Sequence, residues 1–79
     1  MEIEILQKIV SEVLGVDVSE VKPDTTFVED LGADSLDIFQ IVTAIEEKFE
    51  IHIDPKRVEV LKTVEDAVGL IKDCRKEQQ

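Results

Sequence analysis

The sequence predicts an all-α domain: a bundle of three longer helices and one short third helix, with a long first loop. Three observations carry this. Apolar residues recur at three- and four-residue steps over separate stretches, the period of helices that each bury one face. No stretch alternates apolar and polar residues for long enough to make a strand. Capping residues (Gly15, Asp34, Asp54-Pro55 and Thr63) stand where the periodic stretches begin or end.

The first helix is expected over residues 2–14, because Ile3, Leu6, Ile9, Val10, Val13 and Leu14 share one face. Gly15 is suited to end it in the left-handed conformation. From Val16 to Ala33 the period is lost, and Pro23, Asp24, Thr25, Thr26 and Gly32 read as turn chemistry. Val16, Val18, Val21, Phe27, Val28 and Leu31 are interleaved through this loop. They are expected to pin it to the core, with a helical turn around Ser19 to Lys22. A connection of this length in a small domain is often functional.

The second helix is expected over residues 35–49. Asp34 serves as N-cap and Asp37 sits at the third position, where a carboxylate suits the helix dipole. Ile38, Ile41, Val42, Ile45 and Phe49 form its buried stripe. Ser35, Phe39 and Thr43 point together on another face, with Leu36 beside them, and the core stripe does not need them. The competing reading packs Leu36 and Phe39 under the preceding loop, against Phe27 or Leu31. Asp54-Pro55 then starts a short helix over 55–60 that turns Val58 and Leu61 inward. The last helix is expected over 64–76, capped by Thr63, with Val64, Ala67, Val68 and Ile71 inward. Lys72, Arg75 and Lys76 suit its C-terminal end, and Glu77-Gln78-Gln79 should fray.

Seventy-nine residues make one domain, 1–79, near the lower limit for a self-sufficient core. With no Trp, no Tyr and three Phe, that core is built from Val, Ile and Leu. The net charge of −10 disfavours nucleic acid and anionic membranes, and favours partners with basic patches. The charge is unevenly placed. Between Pro23 and Glu47 lie seven acidic residues and no lysine or arginine, so Ser35 sits in an acidic field. The bland meaning of such a run is a solvated face; the functional one is a docking surface.

Constellations for catalysis are missing. His52 is the only histidine and has no second histidine or cysteine with which to bind a metal, so a surface position is expected. Cys74 is the only cysteine, which fits a reducing compartment, and nothing nearby in sequence activates it. The acids at Asp30, Asp34 and Asp37 do not follow a calcium-loop pattern. No metal site, signal peptide or apolar run of membrane-spanning length is expected. A soluble, cytoplasmic, acidic helical binding module with one conspicuous serine is what the residues alone support; it is expected to be a monomer.

At Leu31-Gly32-Ala33-Asp34-Ser35-Leu36-Asp37, then Ala44-Ile45-Glu46-Glu47-Lys48-Phe49, Ile51-His52-Ile53 and Lys62-Thr63-Val64-Glu65-Asp66-Ala67-Val68, the chain resembles the acyl carrier proteins. The likeness covers nearly its whole length. It implies that Ser35 accepts 4′-phosphopantetheine from coenzyme A, delivered by a phosphopantetheinyl transferase. The arm's thiol would carry acyl chains as thioesters between fatty acid synthesis enzymes bearing basic docking patches. The protein itself would not be an enzyme. The docking residues so indicated are Asp34, Leu36, Asp37, Phe39, Gln40, Thr43, Glu46 and Glu47.

This chain also departs from the family's usual pattern. Phe39 and Gln40 replace a small aliphatic residue and a Glu, and Thr43 stands where Met is common. Ile53-Asp54-Pro55-Lys56-Arg57 inverts Ile-Pro-Asp and reverses the local charge. These leave open a specialised carrier for a polyketide, lipid A or related pathway. From another class, an unmodified acidic module that regulates a basic partner remains an alternative.

Overall fold

A computed structural model describes residues 2–77. Its helices are α1 (Glu2–Leu14), α2 (Ser35–Phe49), α3 (Pro55–Val58) and α4 (Val64–Glu77), with a single 3₁₀ turn at Val18–Glu20. α1 packs on both α2 and α4, and α2 also meets α4. The apolar stripes converge there. Leu6 and Val10 of α1, Ile41, Val42 and Ile45 of α2, and Val64, Ala67, Leu70, Ile71 and Cys74 of α4 are all buried. Ile9, Val13, Leu14, Ile38, Phe49 and Val68 pack around them, half-buried.

The end of α1 and the start of α2 are closed by the residues expected to close them. Gly15 has φ +70°, and its N–H donates to Ser11 O at 2.9 Å. In α2, Asp34 and Asp37 form a reciprocal capping box. Glu50 ends that helix in the left-handed region, φ +55°. Asp54 caps α3 through Lys56 N, with Pro55 as its first residue.

The long loop is a built structure. Val21 and Phe27 are buried in the core, with Val16 and Leu31 half-buried beside them. Val18 and Val28, expected to help pin the loop, are instead 43% and 63% exposed. The helical turn also begins one residue earlier than expected, capped by Asp17 and Glu20 in a second reciprocal box. Thr25 is buried: its hydroxyl donates to Glu20 O at 3.2 Å and accepts from Lys22 N at 3.0 Å. Thr26 and Asp30 exchange hydrogen bonds, backbone N–H to side-chain oxygen in both directions, at 2.9 and 3.0 Å.

The same loop caps α4. Phe27 N donates to Lys62 O, Val64 N to Thr25 O and Glu65 N to Pro23 O, at 2.9–3.0 Å. Thr26 and Thr63 thereby form an isolated antiparallel bridge. Thr63 Oγ1 accepts from Asp66 N, and Asp66 Oδ2 accepts from Thr63 N and Lys62 N. This bridge explains why α3 stops at Val58 and not at residue 60. Thr63 is held in the bridge by the loop, so the chain leaves the helix early, through a turn in which Leu61 N bonds Val58 O. Val58 and Leu61 nonetheless pack on the core as expected, while Val60 is exposed. α4 runs one residue past its expected end, to Glu77. Expectations for the Lys76 side chain and for Gln78 and Gln79 lie outside the described residues.

Candidate functional site

Ser35 is the first residue of α2 and is exposed. Three features of the chain put it there. Gly32, at φ +69°, turns the backbone with its N–H bonded to Val28 O at 3.1 Å. Ala33 is buried and its N–H bonds Phe27 O at 2.9 Å, which anchors the approach. Asp34 Oδ1 then accepts from Asp37 N at 2.9 Å, and Asp37 Oδ2 accepts from Asp34 N at 3.2 Å. The box satisfies one of the orphan amides of the helix start and fixes the angle at which α2 leaves the loop. Among the described residues, the Ser35 hydroxyl makes no hydrogen bond.

The electrostatics have two parts. The amides at the start of α2 favour negative charge. The flanking carboxylates oppose it: Asp34 and Asp37 are one residue before and two after Ser35. Upstream, Asp30 titrates below the ordinary aspartate value of 3.8, because the Thr26 amide and hydroxyl donate to it. A free phosphate would gain from the dipole and lose to these carboxylates, whereas a phosphodiester bonded to the hydroxyl needs no such balance. An exposed, unencumbered oxygen at a helix start fits a covalently attached phosphate.

Beside the serine lies an apolar groove of about 460 Å³ between the start of α2 and the α3 region. Ser35, Ile38, Phe39 and Val42 line it on one side, with Val28 near the loop. Pro55, Val58, Glu59 and Leu61 line the other.

The exposed face of α2 carries most of the expected docking residues. Leu36 is 63% exposed and Phe39 67%, so neither packs under the preceding loop. Phe39 lines the groove's edge while most of its surface faces water. Gln40 and Glu47 are exposed; Thr43 is half-buried, and its hydroxyl donates to Phe39 O at 2.9 Å. Glu46 is different: its Oε2 accepts from Ile53 N at 2.9 Å and lies 3.4 Å from His52 Nδ1. It therefore pins the Ile51–Ile53 segment, whose two isoleucines are buried, to α2. His52 is exposed, as expected. Cys74 is buried in the core, away from Ser35. Among the described residues, no cluster of His, Cys, Asp and Glu could hold a metal ion, and no helix is long and apolar enough to cross a membrane.

Sequence reasoning missed the groove and the structural use of Glu46. Val28 and Pro55 carried a usable signal, being apolar residues outside the helix stripes. That they meet beside Ser35 depends on the path of two loops.

The model of the family described as the phosphopantetheine attachment site matches residues 4–71. The acyl carrier protein of Helicobacter hepaticus is 50% identical over 68 residues, covering 86% of this chain and 90% of that protein. That of Nitratidesulfovibrio vulgaris is 47% identical over 68 residues, covering 86% of this chain and 90% of that protein. The crystal structure of an acyl carrier protein from Thermotoga maritima superposes with a TM-score of 0.84 at 28% identity, covering 98% of this chain and 89% of that one. With the helix order, the capped serine and these likenesses in agreement, the chain belongs to the acyl carrier proteins, the family built around a phosphopantetheine attachment site.

Proposed function

We propose that Ser35 is the attachment point of the 4′-phosphopantetheine arm and that the domain, residues 1–79, carries acyl chains for fatty acid synthesis. The observation that carries this is the exposed Ser35 hydroxyl at the capped start of α2, on the rim of an apolar groove. The arm supplies a mobile thiol that holds an acyl group as a thioester. The chain's own residues do the rest. The Asp34–Asp37 box keeps the hydroxyl at a fixed place and angle. In the attachment step the Ser35 oxygen attacks the coenzyme A phosphorus that bears the pantetheine arm, and the pyrophosphate P–O bond breaks to release adenosine 3′,5′-bisphosphate. The serine oxygen forms a phosphodiester and loses its proton, and the transferase provides the catalysis. Ile38, Val42, Val58 and Leu61 give an apolar lining against which a short acyl chain can leave water.

Docking falls to Leu36, Phe39, Gln40, Thr43 and Glu47, with the cap carboxylates of Asp34 and Asp37. Acids around an apolar centre suit basic partner surfaces such as a phosphopantetheinyl transferase and the synthesis enzymes. Electrostatic steering there raises the on-rate without a large buried area. A carrier of this kind works as a monomer in the cytoplasm.

The test is loading. Incubation with coenzyme A and a phosphopantetheinyl transferase should add one phosphopantetheine to the wild type and none to Ser35→Ala. Labelling that survives the substitution would place the arm elsewhere.

A further inference from the structure

α3 is a thin partition between two clefts. On one side its residues Pro55 and Val58 close the apolar groove beside Ser35. On the other, a cleft against α4 holds Arg57 together with Glu65, Asp66 and Asp73. Arg57 Nη2 lies 3.2 Å from Asp73 Oδ2, and its Nη1 lies 3.9 Å from Sγ of the buried Cys74. α3 itself has four residues and few internal bonds: Arg57 N and Val58 N donate to Asp54 O, and Glu59 N to Pro55 O. One turn of helix does not hold itself together in water. An acidic side chain at position 57 would face three carboxylates across this cleft, and a neutral one would lose the attraction.

We infer that Arg57 is a positioning residue for the groove: its guanidinium, held at Asp73 on the acidic flank of α4, fixes α3 as the wall opposite Ser35. The link to cargo rests on the proposed function; the link between Arg57 and α3 does not. The charge reversal at Lys56-Arg57 then has a structural meaning separate from partner choice. Arg57 is engaged with α4 and half-buried, whereas its neighbour Lys56 is exposed.

Hydrogen exchange on the full chain, followed by NMR, tests the first link. In Arg57→Gln and in Asp73→Asn, the Val58 and Glu59 amides should exchange about three- to five-fold faster, the scale of one partly exposed ion pair. The buried amides of α1 and α2 should not change. The swapped pair Arg57→Asp with Asp73→Arg should restore the slow rates. Unchanged rates at Val58 and Glu59, or a rise spread evenly over all helices, would overturn the inference.

The second link is read from melting temperature before and after loading with an octanoyl-phosphopantetheine arm. Loading should raise the melting temperature of the wild type more than that of Arg57→Gln. Equal rises would show that Arg57 does not shape the groove, which overturns its positioning role there. No rise in either protein would instead reject the groove as the cargo site, leaving the exchange result to decide on Arg57 and α3.

Discussion

Truncating Phe39 to alanine should cost little stability, whereas the same truncation at Phe27 should cost much of it. Phe27 is 2% exposed and sits in the core beneath the loop; Phe39 is 67% exposed on α2. Phe27→Ala removes a buried ring and leaves a cavity, a change that costs about 3–5 kcal/mol. Phe39 shields about one third of its surface, so about a third of the roughly 1.5–3 kcal/mol for full burial is at stake, or about 0.5–1 kcal/mol. No closed cavity forms at Phe39, because the site opens to solvent. The difference is large for this chain: a domain of 79 residues has a total stability of about 4–12 kcal/mol. Urea unfolding followed by circular dichroism gives both values from the midpoint and slope. Phe27→Leu serves as a milder core probe if the alanine variant does not fold. The loading rate by a phosphopantetheinyl transferase should show the opposite order, falling several-fold in Phe39→Ala and staying near wild type in Phe27→Leu. A loss of ~3 kcal/mol in Phe39→Ala would refute the assignment of this ring to the docking face.

Other outcomes follow from the loop and the caps. Gly32→Ala should lower stability by about 1–2 kcal/mol in the same assay, because φ of +69° disfavours any Cβ although nothing crowds it. Thr25→Val should cost about 1–3 kcal/mol by leaving Lys22 N and Glu20 O without their partner. Asp66 titrates below the ordinary 3.8, chiefly because the Thr63 and Lys62 amides donate to it. Its stabilisation is present above the unfolded-state value and is lost as pH falls through the lower folded value. The stability gap between wild type and Asp66→Asn should therefore be widest above about pH 4 and close on acidification; a gap independent of pH would contradict this cap. At a net charge of −10, added salt should raise the melting temperature, and a flat response would argue against self-repulsion.

Which features the sequence revealed follows from how local their causes are. α1 and α2 were legible to the residue because period, cap and stop lie within each helix: Gly15 ends one, and the Asp34–Asp37 box begins the other. Ser35 was legible for the same reason. The end of α3 was not. It is set by Thr26 and Thr63, far apart in sequence, whose bridge draws the chain out of α3 before α4 begins. Val18 and Val28 look like pins in a list of apolar residues, but Val21 and Phe27 already fill the space beneath the loop. Glu46 shows the limit most clearly. As a lone acid on an exposed helix face it resembles Glu47, and only the path of the following loop brings Ile53 N to its carboxylate. The groove beside Ser35 was hidden in the same way, since its two walls belong to segments twenty residues apart, Ser35 to Pro55.

The most direct test of the central claim is the intact mass of the protein isolated from its native host, with fragmentation to locate any adduct. A single phosphopantetheine on Ser35, in part bearing an acyl group, is the predicted result. A population that is wholly unmodified, or that carries its adduct on another residue, would contradict it.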